Sequence, residues 1–281
     1  MHKDASCKTE IAIFESMQSQ NVSIIHQEKS SLASEYLQRD VTIDIYYPVN
    51  LQSAANLQVL FINDGQNLEE MNFREILLEA GGLSAVCVGI HSDKNRKNEY
   101  GIAGKPDYLG RGAKADLYSE FVVKELIPSI FRKLGERQIS KIMVAGFSLG
   151  GLMALDLAWK HPQIFSIAGV FSGSLWWRSV SQDEPEYSDE LHRIMHQEVK
   201  NGSYRPGLKF FFQCGNMDET MDRNNNGIID SIDDTRDLIK ELTAKGYSEE
   251  RDIFYLEMPD GRHDIPTWGR AMPLFLTWAL R

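Results

Sequence analysis

Short apolar runs alternate with amphipathic stretches along most of the chain. VTIDIYYP (41–48) alternates apolar and polar residues, which predicts a strand with one wet face. LQVLFIND (57–64) and LSAVCVGI (83–90) are continuous apolar runs, the pattern of strands buried on both faces. Between them MNFREILLEA has helical spacing and stops at Gly81-Gly82. ADLYSEFVVKELIPSIFRKLG (115–135) predicts an amphipathic helix kinked at Pro128. KIMVAGF (141–147) reads as a strand and GLMALDLAWK (151–160) as a helix. Three further strands, FSIAGVFSG, LKFFFQCG (208–215) and DIFYLEMP, are separated by the helical ELHRIMHQEVKN and DTRDLIKELTAKG, and TWGRAMPLFLTWAL closes the chain as a helix. Strands alternating with helices of this length predict an α/β fold, a mostly parallel twisted sheet covered by helices on both faces. No linker or repeat divides the chain, so residues 1–281 read as one domain. RSVSQDEPEYSDE (178–190) is the most loop-like stretch and is expected to form a small lid or rim.

One serine stands out against this pattern. Gly146-Phe147-Ser148-Leu149-Gly150 fits G-x-S-x-G and falls between a predicted strand and a predicted helix, with a further Gly151 behind it. The glycines remove Cβ atoms where the chain reverses tightly, and the hydroxyl is held near the positive end of the following helix. A glycine-rich connection with a polar cap would need less than this, so Ser148 is the candidate nucleophile.

A nucleophilic serine needs a base, and the base needs an orienting acid. In the α/β-hydrolase arrangement they follow in the chain order Ser, Asp/Glu, His. Of seven histidines, His2 and His26 precede the expected sheet, and His91 and His161 come before any acid beyond Ser148. His192 and His196 lie four apart on a predicted helix, but Arg193 stands where H-E-x-x-H needs glutamate, so a solvated helix face is expected there. His263, in PDGRHDIPTW after the last strand, is the candidate base. FFFQCGNMDETMD offers Asp218, Glu219 and Asp222 as acids, and Asp218 has the best loop reach. Asp264 would face away from its neighbour's ring.

Composition narrows the partners. The chain has 281 residues, 42% hydrophobic and 25% charged, with a net charge of -10 and no basic cluster. Nucleic-acid backbones and anionic membrane surfaces are therefore not expected partners, and highly anionic substrates are weakly disfavoured. No stretch approaches the roughly 20 apolar residues of a membrane span. The first residues lack an apolar signal-peptide core, and three odd, scattered cysteines (Cys7, Cys87, Cys214) read as thiols rather than a disulfide framework. A cytoplasmic protein fits this best, or a secreted one whose leader has been cut away.

The stretches VLFINDGQNL, YSEFVVKELIPSI, VAGFSLGGLMAL, HPQIFSIAGVFSGSLWW and GRHDIPTW resemble the esterase branch of the α/β-hydrolases. That branch includes ferric-enterobactin esterases, feruloyl esterases of carbohydrate esterase family one, S-formylglutathione and esterase D-like hydrolases and the antigen 85 mycolyltransferases. The resemblance implies an α/β-hydrolase fold and an oxyanion hole built by the amides of Gln66, in Asp64-Gly65-Gln66, and of Leu149. It also implies substrate contacts near Asp64 and Arg96, with Glu99 and Tyr100 as rim candidates. Trp176 and Trp177 lie past the strand that follows the elbow helix, where aromatic walls would suit aryl or sugar substrates; core packing is the alternative for each. DGQN lacks the cysteine usual in S-formylglutathione hydrolases.

DRNNNGIIDSID (222–233) departs from the family pattern. Inserted after the acid-bearing strand, it follows EF-hand spacing: Asp222, Asn224 and Asn226 at positions one, three and five, Gly227 at six, the Ile228 carbonyl at seven, Asp230 at nine and Asp233 at twelve. A structural calcium ion is the expectation, an Asn-rich surface connection the alternative; the chemistry itself needs no cofactor. The reading that results is a serine carboxylic-ester hydrolase with an acyl-enzyme intermediate, acting on a small aryl, sugar or siderophore-type ester. Its rival is a non-catalytic module of the same fold that binds calcium and a carbohydrate or protein partner.

Overall fold

The computed structural model describes residues 25–48, 56–80 and 85–280. Cys7, His2 and the predicted stop at Gly81-Gly82 lie outside them. Eight strands form one sheet in the order β1-β2-β4-β3-β5-β6-β7-β8. They run Ile25–Ser34 (β1), Arg39–Pro48 (β2), Asn56–Asn63 (β3), Ala85–Ile90 (β4), Gln138–Phe147 (β5), Ile167–Phe171 (β6), Lys209–Met217 (β7) and Ile253–Arg262 (β8). β1 pairs antiparallel with β2, and β2 with β4; every other pairing is parallel. The predicted α/β class holds, and the sheet order is that of an α/β-hydrolase.

The continuous apolar runs became the middle of the sheet. Every residue of β4 and β6 is buried. One face packs under the elbow helix Leu149–Lys160 and the segment 115–134, around Phe121, Leu152 and Trp159. The other packs under the helices Phe73–Glu79 and Ile265–Ala279, around Phe211, Met272 and Phe275.

Four expectations are corrected. His26 does not precede the sheet: it belongs to β1, a largely exposed edge strand with few apolar residues to mark it. Such polar edges discourage pairing with other chains. The helix at 115 takes up Pro128 with a π-helical turn, Phe121–Leu126, before Ile127–Leu134 resumes with the proline in its first turn. The wider turn accommodates a ring that would clash with the carbonyl four residues back. The helix carrying His192 and His196 breaks at Arg193 (φ -74°, ψ 104°) into Asp189–His192 and Ile194–Asn201. His196 is buried rather than on a solvated face, its Nε2 2.8 Å from the Asp234 carbonyl. Burial, with repulsion from Arg193, pushes its pKa down to about 3. Cys87 and Cys214 are buried free thiols, pushed up to about 12 by desolvation. Among the described residues no helix is long and apolar enough to cross a membrane.

Candidate active site

β5 runs straight into the elbow helix through Ser148, whose backbone sits at φ 55°, ψ -121°. That left-handed φ in a non-glycine residue costs about 1–3 kcal/mol and persists only where its surroundings impose it. Here they do. A Cβ on Gly146 would collide with the Gly150 carbonyl, and one on Gly150 would lie 2.5 Å from Asp64 Oδ2. The Ser148 amide donates to the Phe171 carbonyl (2.8 Å), and its own carbonyl accepts from Gly151 and Ser174. The half-buried hydroxyl lies 3.4 Å from Ser174 Oγ.

The loop after β3 is strapped to this elbow. Arg96 grips Asp64 with two hydrogen bonds of 2.7 Å each, from Nε and Nη2, and Nη2 also donates to the Phe147 carbonyl at 3.3 Å. Ser92 Oγ donates to Asp64 Oδ1 at 2.9 Å. A second strap runs from the Tyr118 hydroxyl to Asn63 Oδ1 and from Asn63 Nδ2 to the Gly150 carbonyl, both 2.8 Å. Among the described residues no hydrogen bond consumes the amides of Gln66 or Leu149. The Leu149 amide, in the first turn of its helix, has no partner within that helix.

β7 and β8 bring the other two side chains together. Gly215 and Gly261 pack backbone on backbone, so close that a Cβ on either would clash. Asp218 follows β7: its Oδ2 accepts the Gly215 amide at 3.1 Å, and its Oδ1 is buried without a partner. His263 follows β8, reached by solvent on one side while its ring lies edge-on to Trp268 at 5.4 Å on the other. Trp268 also stacks on Phe147 at 5.1 Å, so one indole lies against both the histidine and the elbow. Asp218 and His263 line a cavity of about 230 Å³ with Ser172, Gly173, Trp176, Glu219 and Ser231. Burial lowers the His263 pKa, opposed by the Asp218 charge and reinforced by Arg96. Among the described residues no hydrogen bond joins Ser148 to His263, or His263 to Asp218. Asp264 turns away to cap the last helix at the Thr267 amide (2.9 Å).

Several candidates have other occupations. Asp64 is 1% exposed and saturated by its partners, so it positions the loop rather than faces a substrate; Arg96, its side chain 29% exposed, holds that carboxylate in place. Glu99 and Tyr100 are buried too, with Glu99 held by Arg39 at 2.6 Å, and neither forms a rim. Trp177 is fully buried against Gly101 and Gly112 and donates to the Lys105 carbonyl at 3.1 Å. Only Trp176 of the pair lines the cavity. Asn63, Tyr118, Ser174 and Trp268 fall inside the stretches that carry the resemblance, yet no pattern singles out either them or Ser92, because their roles emerge only from the packing. Glu219, weighed as an acid, accepts the Ser231 amide at 2.7 Å, and burial raises its pKa.

In the 222–233 loop, Asp222 accepts the Asn226 and Gly227 amides at 3.1 and 2.8 Å. The side-chain amides of Asn224 and Asn226 meet Asp233 Oδ2 at 2.9 and 2.7 Å. Asp230 departs from the expected position-nine role: its carboxylate accepts the Arg223 amide at 2.8 Å and pairs with that guanidinium. Among the described residues no three of His, Cys, Asp and Glu gather as a metal group. A cation here would rest on amide oxygens as much as on carboxylates.

Comparison with known proteins gives this geometry a family. A 66-residue segment, 24% of this chain and 23% of the relative, is 29% identical to a siderophore triacetylfusarinine C esterase of Aspergillus fumigatus. A ferulic acid esterase superposes with a TM-score of 0.65 at 17% identity, covering 92% of this chain and 98% of that one. The siderophore hydrolase EstB of Aspergillus nidulans gives 0.64 at 17%, covering 89% and 94%. At these identities the structural likeness is one of fold. Residues 34–278 match the family model described as "Putative esterase", and the chain therefore belongs to that family of carboxylic ester hydrolases.

Proposed function

We propose that the chain hydrolyses a small carboxylic ester with Ser148 as nucleophile, His263 as base and Asp218 as the acid that orients it. The observation that carries the proposal is the strained elbow at Ser148, strapped to the loop after β3 and placed at the sheet edge where Asp218 and His263 share a cavity. His263 takes the Ser148 proton as Oγ bonds to the ester carbonyl carbon. The oxyanion rests on the amides of Gln66 and Leu149, aimed at charge that exists only beyond the ground state. His263 then protonates the leaving alcohol, and water activated by the same ring releases the acid. A lowered pKa keeps the imidazole neutral at neutral pH, as a base must be. Ser148 Oγ rests near Ser174, so the imidazole must close to about 2.6–3.2 Å with substrate bound, a tightening common from the free enzyme to the complex.

Siderophore and ferulic acid esters, the substrates named for the relatives, point to aryl or siderophore-type esters here, with sugar esters beside them. The non-catalytic reading is not favoured by membership of an esterase family. Ser148→Ala is expected to cut turnover of p-nitrophenyl butyrate at least about a thousandfold while leaving the fold intact. Retained turnover in that variant, or none in the wild type across short acyl chains, defeats the proposal.

The 222–233 loop is proposed to hold a structural calcium ion. The side chains of Asp222, Asn224, Asn226 and Asp233 are tied together by hydrogen bonds, with the two Asn amide groups turned to Asp233 through nitrogen. A hard cation would take the carboxylates with those amides rotated to present oxygen, and the Ile228 carbonyl completes the expected spacing. Asp230 is left to Arg223. The ion would brace the segment after Asp218 and take no part in the reaction.

A further inference from the structure

The predicted rim begins at Arg178, and its side chain is in an unusual state. Two guanidiniums flank Trp176, the aromatic wall of the Asp218–His263 cavity: Arg111 at 4.8 Å from the ring centre and Arg178 at 5.9 Å. Arg111 is neutralised by the buried carboxylate of Asp107, with Nε 2.6 Å from Oδ2. Arg178 has no such partner. Among the described residues no carboxylate lies within ion-pair distance of it and no acceptor takes any of its N–H groups; its Nε is buried and unsatisfied. The nearby Asp189 is already taken by the Tyr187 hydroxyl at 2.6 Å and by Arg223 at 2.8 and 3.0 Å.

What surrounds Arg178 instead is aromatic. Tyr108, Trp176 and Tyr187 stand 5.9, 5.9 and 5.8 Å from its guanidinium carbon. Its backbone is pinned on two sides, by the Tyr108 amide on its carbonyl (3.0 Å) and by a bridge to Arg193. A desolvated donor without an acceptor is costly, and three distant rings recover only part of that cost. The terminal Nη1 and Nη2, which no group among the described residues takes and which unlike Nε are not sealed off, form a fork that fits a carboxylate, and the rings beside it fit an aryl or extended apolar group.

We propose that Arg178 is a specificity residue that docks a carboxylate carried by the ester substrate, at the wall of Tyr108, Trp176 and Tyr187. The inference rests on the ester-hydrolase reading above and narrows its substrate to a carboxylate-bearing ester. The whole-chain charge of -10 argues the other way, but it acts through solvent over distances longer than the screening length of about 8–10 Å. The unpaired cation acts at contact.

Two probe pairs test it, each comparing an anion with a neutral near-isostere: the mono-p-nitrophenyl ester of glutaric acid against p-nitrophenyl pentanoate, and 3-acetoxybenzoate against 3-acetoxytoluene. The first pair places the carboxylate on the acyl side, the second on the leaving group. In at least one pair Arg178→Gln is expected to lower the charged-to-neutral ratio of kcat/KM by about ten- to a hundredfold, mainly through KM. Arg178→Lys should retain part of the preference, because it keeps the charge and loses the fork. Ratios equal to wild type in both pairs overturn the proposal. Titration with benzoate, followed by tryptophan fluorescence, reads the site without turnover. A saturable change in the wild type that Arg178→Gln loses supports the site even if no ester is hydrolysed, a result that defeats only the esterase reading. No saturable change in the wild type overturns the site.

Discussion

Gly150 illustrates how much of the site is set by single atoms. A methyl group there would lie 2.5 Å from Asp64 Oδ2, an oxygen that cannot swing aside because Arg96 holds it. Gly150→Ala is therefore expected to destabilise the protein by about 1–3 kcal/mol, as overpacking does. It should also cut kcat by as much as a hundredfold by shifting the loop that carries Gln66. Wild-type melting and activity in this variant would mean that the loop is not rigidly placed. Gly146 was legible from sequence because its role is local: a Cβ there would meet the Gly150 carbonyl four residues on. The Arg96–Asp64 clamp was not, since it spans 32 residues and looks like two surface charges until folded. Trp176 and Trp177 make the same point side by side: adjacent and chemically identical, one lines the cavity and the other is fully buried.

The loop 222–233 is an element whose stability should depend on its ligand. Calcium that binds only the folded form raises stability by mass action. Millimolar calcium is expected to raise the melting temperature by several degrees over excess chelator, and Asp222→Ala should abolish the difference. Identical melting in both conditions would leave the loop an Asn-rich connection. Elsewhere, apolar runs gave away the middle strands, because a strand covered on both faces has no polar side to show. β1 escaped notice for the opposite reason: at the sheet edge, its ladder to β2 is a backbone property that side-chain periodicity barely records. The break at Arg193 escaped it too, since the residue follows its partners, the buried Asp234 and the half-buried Asp237, rather than helical spacing.

Across the whole molecule, His196 couples the fold to pH. Its ring is held neutral with a pKa of about 3, against an ordinary value of 6.5. Below pH 6.5 the unfolded chain binds a proton there that the folded one refuses, so stability falls as pH drops from about 6.5 towards 3. The loss from this one group amounts to a few kcal/mol at the acid end. Urea titrations of wild type and His196→Gln should differ increasingly in the wild type's disfavour as pH falls through this range. Parallel curves would show that the ring does not carry this linkage.

Local order along the chain was enough to determine the α/β class, the buried strands and the glycine-framed turn at Ser148, because each depends on neighbours within a turn or a strand. Tertiary structure decided the rest: the clamp on Asp64, the burial of Trp177 and His196, the shared cavity of Asp218 and His263, and the unpaired charge of Arg178. These depend on which distant groups meet and whether water reaches them. Burial and pairing are properties of the assembled sheet edge, and no stretch of chain contains them.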